Sequence, residues 1–268
     1  MKNWRIGCSG FYYRHWREKF YPGGLPVKKW FEFYCEYFNT VELNVTFYRL
    51  PKPDALRGWY DRSPENFIFT VKAPRLVTHY KRFKEAKNET RSFYDLMSKG
   101  LKDKLGTVLF QLHPRFEYTQ ENLERVLTTV DPAFNNVLEF RHPTWWNDEV
   151  YSELRKNKLT FCSISYPGLP DHVIKTAPVM YYRFHGVPDL YRSPYTPEEL
   201  ERVVHKIRDI RGLREVYIYF NNDIDVAAID NARLVQGLVR GSGSGMSGGG
   251  RDPLQRGGVK GKRRVSTG

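Results

Sequence analysis

Val137-Leu138-Glu139-Phe140-Arg141-His142-Pro143 is a short apolar run that ends in charged residues and a turn signal. A run of this length reads as a strand buried on both faces. The pattern recurs at Trp4–Cys8, Thr40–Leu43, Phe67–Val71, Thr107–Leu112, Thr160–Ile164, Val179–Phe184 and Val216–Phe220. Polar residues follow most of these runs: Ser9, Asn44, Lys72, His113, Ser165, His185, Asn221 and Asn222. Helix-like segments lie between them, at Lys29–Phe38, Asp54–Arg62, Lys84–Lys102, Thr119–Val130, Asp148–Lys156, Thr196–Ile210 and Asp225–Val239. Alternating strands and helices imply a parallel sheet. Eight such units in roughly 240 residues suit a single-domain α/β fold, the (β/α)8 TIM barrel, whose chemistry sits at the C-terminal strand ends.

Two units depart from the pattern. Tyr166–Ala177 holds two prolines and a glycine, so a loop replaces the sixth helix. Phe11–Lys28, aromatic and punctuated by Gly and Pro, predicts a long first loop over the barrel mouth. After Arg240 the composition changes, and Gly241–Gly250 is nearly all Gly and Ser. The expected division is a barrel over 1–240 and a Gly/Ser-rich, basic, disordered tail over 241–268, native or appended.

The net charge is +13. Residues 1–240 carry 37 basic and 29 acidic side chains, so the body is basic without the tail. Such a surplus points to an anionic partner, nucleic acid (DNA or RNA) first, or serves solubility alone. No run reaches the ~18 apolar residues of a membrane span, and Met1 leads straight into a strand-like run. The three cysteines, Cys8, Cys35 and Cys162, are scattered. That spacing predicts reduced thiols and a cytoplasmic protein rather than disulfides or a zinc site.

Strand alternation sets which strand-end residues face inward. Glu139 with Arg141, Glu42 with Asn44, and Arg183 with His185 each share one face. His142 and Trp145 follow the fifth strand, Lys72 ends the third, Gln111 ends the fourth, and Asn221 and Asn222 end the eighth. Barrels often hold phosphate after strands seven and eight, so Arg183 with the amides near Asn222 is the preferred anion site. Glu42 and Glu139 also have the residue types of a glycosidase acid–base pair. His79, His113, His142 and His185 lie near strand ends with these acids. No H-x-H, H-E-x-x-H or D-x-D spacing appears, and Lys72, Arg141 and Arg183 would repel a cation, so no metal is expected.

At these residues the chain resembles the DUF72 (YecE-like) family of uncharacterised TIM barrels. The resemblance rests on Gly7-Cys8-Ser9-Gly10-Phe11-Tyr12-Tyr13 with Trp16; Thr40-Val41-Glu42-Leu43-Asn44-Val45-Thr46-Phe47-Tyr48 with Pro51; Phe69-Thr70-Val71-Lys72; and Leu109-Phe110-Gln111-Leu112. It continues through Glu139-Phe140-Arg141-His142-Pro143 with Trp145; Tyr182-Arg183-Phe184-His185-Gly186; and Tyr219-Phe220-Asn221-Asn222-Asp223 with Ala228 and Asn231-Ala232. Cys8 replaces a usual Thr, His113 replaces a Pro, and the pattern ends by Arg240. The resemblance implies the barrel, not an activity. A likeness to AP-endonuclease barrels does not bring their metal ligands onto these residues, and a shared fold fixes no function.

The leading expectation is a phosphate-bearing substrate, nucleic acid favoured, bound at the C-terminal barrel face, with hydrolysis left open. Arg141, Arg183 and Lys72 would neutralise phosphate. Glu139 or His185, with Glu42, would move protons. Asn44, Gln111, His142, Asn221 and Asn222 would orient the ligand, and Tyr12, Trp16, Phe47, Tyr48 and Trp145 would stack on or cap it. The alternatives are a metal-independent enzyme on a small phosphorylated or sugar-like metabolite and a non-catalytic nucleic-acid binder.

Overall fold

The structure, a computed structural model, describes residues 2–241. The expectation of a disordered tail therefore falls, beyond Gly241, outside the described residues. The order of elements is β1 (Asn3–Cys8), α1 (Trp30–Tyr37), β2 (Thr40–Leu43), α2 (Val45–Tyr48), α3 (Pro53–Arg62), β3 (Ile68–Lys72), α4 (Lys87–Leu101), β4 (Leu105–Gln111), α5 (Gln120–Thr129), β5 (Asn136–Glu139), α6 (Asp148–Lys156), β6 (Thr160–Ser165), β7 (Val179–Phe184), α7 (Pro197–Asp209), β8 (Glu215–Phe220) and α8 (Ala227–Gly241). All eight predicted strands are present, within two residues of their expected bounds. Caps fix several helix starts. Thr196 and Glu199 form a reciprocal capping box at α7, and the Thr119 and Asn147 side chains accept the first free amides of α5 and α6. No α-helix links β6 to β7, as the prolines there predict.

The strands run parallel in the order β1-β8-β7-β6-β5-β4-β3-β2. Among the described residues no ladder joins β1 to β2. Side chains close that seam instead. The Tyr34 hydroxyl accepts from Cys8 N at 2.8 Å and donates to the Thr40 carbonyl at 3.0 Å. Asn39 donates to Trp4 O near one end of the seam and Asn44 to Ser9 O near the other. Gly7 lets the two backbones approach, since a Cβ there would sit 2.3 Å from Thr40 O.

The core has two shells. Most buried side chains lie between strands and helices. Inside the barrel, Leu109, Val137, Cys162, Ile164, Tyr181, Tyr217 and Tyr219 pack against one another. The Tyr219 hydroxyl meets Thr40 Oγ1 at 2.5 Å and Thr70 Oγ1 at 3.0 Å, and Thr70 meets Thr107 at 2.6 Å. Buried hydroxyls need such partners. This apolar and hydroxyl-bearing filling forms the floor beneath the polar strand ends.

The first loop differs from expectation. Its centre packs sideways on α1 rather than covering the mouth: Trp16 is fully buried and Tyr21 stacks on Trp30 at 4.5 Å between ring centroids. Its contacts to the mouth come from Tyr13, which donates to Ser9 O, and from His15 against Asp223 O.

Candidate functional site at the C-terminal strand ends

Six of the predicted residues converge above the hydroxyl floor. Arg183, on β7, donates to Glu42 Oε1 of β2 and to Glu139 Oε2 of β5, each at 2.6 Å. All three are buried. Glu42 also accepts from the Tyr181 hydroxyl at 2.5 Å. Arg141 Nη2 lies 2.6 Å from Glu139 Oε1, and its guanidinium sits 4.1 Å over the Tyr166 ring. His185 Nε2 is 3.0 Å from the same Glu139 oxygen, and its Nδ1 faces Asn221 Nδ2 at 3.1 Å. An amide donor on Nδ1 assigns the proton to Nε2, which then donates to Glu139.

These contacts set the protonation states. Burial alone would raise Glu139, but Arg141, Arg183 and the His185 hydrogen bond hold it well below the carboxylate range. Burial, reinforced by Arg141 and Arg183, pushes His185 well below its ordinary value, so it is neutral. Burial works against the Arg183 charge, yet Glu139 and Glu42 raise its proton affinity well above normal. Glu139 accepts from three donors and His185 has both ring nitrogens engaged. Glu139 is thereby held as the carboxylate and His185 as the neutral ring, the states from which any acid–base role expected for them would start. Glu42, expected to act with them, is fully buried between Arg183 and Tyr181.

Lys72 differs. It ends β3 beside this cluster, donates to Gln111 Oε1 at 2.7 Å and stands 4.2 Å from the centre of the Phe47 ring. Among the described residues no carboxylate forms an ion pair with it. Burial and the Arg183 charge outweigh the pull of Glu139 and Glu42, bringing its pKa down to about 7. Its residue exposure is 8%, equal to that of Arg141, against 1% for Arg183. Lys72 and Arg141 are thus buried but less enclosed than Arg183.

Other expected ligand contacts belong elsewhere. Trp16 and Trp145 are fully buried. Trp145 stacks on Phe140 at 4.3 Å and donates its indole N–H to Phe116 O, so both tryptophans are core rather than stacking platforms. Asn222 is fully buried and donates to Ser193 O and Asn231 Oδ1, bracing the loop after β7. The Asn221 amide is taken by Phe184 O. Arg183 is held by two carboxylates, which occupy the guanidinium edge that the anion site expected after β7 and β8 would use. His142 turns away to Thr144. Asn44 borders the mouth with its Oδ1 buried and unpartnered, and Tyr12 and Tyr48 are exposed at 58% and 66%. Tyr181 and Tyr166 were missed. Tyr181 was legible, because it precedes Arg183 by two residues and so shares its inward face. Tyr166 lies past the end of β6, where period gives no direction.

Among the described residues no cluster of His, Cys, Asp or Glu has metal-holding geometry. The ring of His79 is near that of His113, at 5.3 Å.

The family pattern described as "Protein of unknown function DUF72" matches residues 5–255. The chain belongs to the DUF72 family. The match runs past Arg240, where the sequence reading ended the family pattern. This DUF72 chain is 24% identical to UPF0759 protein YunF of Bacillus subtilis, over 83% of its own length and 90% of that protein. It is 30% identical to UPF0759 protein YecE of Escherichia coli K12, over 43% of the chain and 42% of YecE. A crystal structure of a DUF72 family protein from Thermotoga maritima superposes with a TM-score of 0.81 at 27% identity, covering 89% of this chain and 99% of that one. An Enterococcus faecalis DUF72 protein, 18% identical, shares the fold with a TM-score of 0.75 over 93% of this chain and all of that one. No helix among the described residues is long and apolar enough to cross a membrane.

Proposed function

We propose that the C-terminal face of this barrel binds a phosphate-bearing substrate, with nucleic acid the favoured class. One observation carries the reading. The buried cluster holds three cationic side chains, Lys72, Arg141 and Arg183, against two carboxylates, Glu42 and Glu139, and the cation left without an ion pair, Lys72, is with Arg141 less enclosed than Arg183. A buried charge needs a partner, and an arriving anion would supply one. Lys72 and the outer edge of Arg141 are the phosphate contacts in this reading, with Gln111 and Asn44 orienting the ligand. Arg183 holds the two carboxylates in place and thereby aims Arg141. Hydrolysis needs a group that exchanges protons near neutrality, and Lys72 is the cluster member with that property.

Calorimetric titration with inorganic phosphate and ribose 5-phosphate tests this. The protonated lysine is the binding form, so affinity is full at pH 6 and falls as pH rises through the lysine pKa. Lys72→Met should lose at least tenfold in affinity and most of that pH dependence. Unchanged affinity in Lys72→Met would sink the reading. A small phosphorylated metabolite would use the same cations. Salt separates the two, because binding through many phosphates weakens steeply with ionic strength while a single-anion pocket responds modestly.

A further inference from the structure

Two clefts flank the mouth on its β1–β3 side, and one ring divides them. The first, about 690 Å³, lies between the loops after β1 and β2 and is bordered by Tyr12, Tyr13, Asn44, Val45, Tyr48 and Trp59. The second, about 580 Å³, lies between the loops after β2 and β3 and is bordered by Phe47, Tyr48, Leu50, Arg75, Leu76 and Tyr80. Tyr48 borders both. Most exposed large apolar side chains of the described residues gather here, Tyr12, Val45, Tyr48, Leu50, Leu76 and Tyr80 among them. A cluster of that kind marks a binding face rather than scattered surface residues.

Its charges select the partner. Lys28 and Arg62 border the first cleft, and Arg49 and Arg75 the second. Among the described residues neither Lys28 nor Arg49 has an ion-pair partner, whereas Arg62 is 3.4 Å from Glu32. The guanidinium of Arg75 stands 5.8 Å from the Tyr48 ring centre and 5.4 Å from that of Tyr80. The acid bordering the clefts, Glu89, is already paired to Lys81 at 2.5 Å. Exposed tyrosine faces interleaved with cations suit unstacked bases on a charged backbone. A duplex keeps its bases stacked inside and offers no ring face.

We propose that this face binds single-stranded nucleic acid, with successive bases in the two clefts on either side of Tyr48 and the backbone passing toward Lys72. The inference rests on the phosphate reading above. The contact of Tyr48 with Phe47 at 5.0 Å, and of Phe47 with Lys72, joins the ridge to the charge cluster.

The test titrates the full chain with an oligothymidylate of twelve nucleotides bearing one 2-aminopurine, whose fluorescence is quenched on stacking. Residues 242–268 contain no aromatic side chain, so stacking reports on the barrel and not on the basic tail. Wild type should quench the probe. Tyr48→Ala should abolish the quenching and weaken stacking-dependent binding about tenfold. Arg75→Ala should reduce both, and Ile224→Ala, exposed on the β8 side, should change neither. A Tyr48→Ala protein that quenches like wild type, or a duplex of equal length that binds as tightly as the strand, overturns the proposal. Inorganic phosphate separates the two failures. If phosphate binds wild type and Tyr48→Ala alike while the strand does not stack, only the strand proposal falls. If phosphate does not bind wild type, the phosphate reading falls, whatever the strand does.

Discussion

The two sides of the barrel mouth handle buried charge differently. Toward β5 and β7, each carboxylate meets a cation and each cation a carboxylate: Arg183 spans Glu42 and Glu139, and Arg141 and His185 complete Glu139. Toward β3, Lys72 has a neutral amide and a ring for neighbours. Apart from the outer edge of Arg141, a paired cluster has little left to offer a ligand, and removing one member leaves its partners short of a counter-charge. An unsaturated cation costs stability in the empty protein and is available to an incoming anion. The difference separates what holds the strand ends in register from what faces the substrate.

The largest effect should come from breaking the saturated side. Arg183→Met strands the buried Glu42 and takes one of the two cations from Glu139, and should cost roughly 3–5 kcal/mol, read as the shift in urea midpoint. If the variant is as stable as wild type, the two sides are not distinct. Gly7→Ala strikes the seam between them, where the new Cβ meets backbone; a loss of about 1–3 kcal/mol is expected. The unsaturated side should behave oppositely. Lys72 has a pKa of about 7 in the folded protein against an ordinary 10.5. Between those values the unfolded chain binds more protons, so stability rises with pH across that window. Urea midpoints measured from pH 7 to pH 10 should show this slope in wild type and a flatter one in Lys72→Met, with no loss of stability at pH 7. The smallest effect belongs to Tyr48→Ala, which should stay within about 0.5 kcal/mol of wild type although it removes the ridge between the clefts. A larger loss would mean that Tyr48 is structural.

The barrel could be read from the chain because buried parallel strands leave continuous apolar runs, and even the missing sixth helix announced itself through prolines. Inward-facing residues followed as directly: period two placed Glu42, Glu139, Arg141, Arg183 and His185 together. Their division of labour did not follow. Alternation says that Arg183 points inward, not that two acids from β2 and β5 will engage it there, because that depends on register and stagger between strands distant in sequence. Trp16 and Trp145 misled for a related reason. An aromatic residue just past a strand end has no period to say whether it turns to solvent or folds back on the outer shell. The clefts around Tyr48 arise from three loops meeting and leave no mark in any one of them.

The seam between β1 and β2 gives the barrel the character of a ring with a clasp. Elsewhere, neighbouring strands are joined by repeated backbone bonds that must fail together. At the clasp, Cys8 N–H is held by the phenol of Tyr34, with Asn39 and Asn44 as the other side-chain fastenings. Amide exchange at Cys8 should therefore report opening of the ring separately from global unfolding, and Tyr34→Phe would undo one fastening of three. Just past the strands on either side of the clasp, Gly10 and Asn44 border the larger cleft, so an opening of the clasp would be felt in the wall of that cleft.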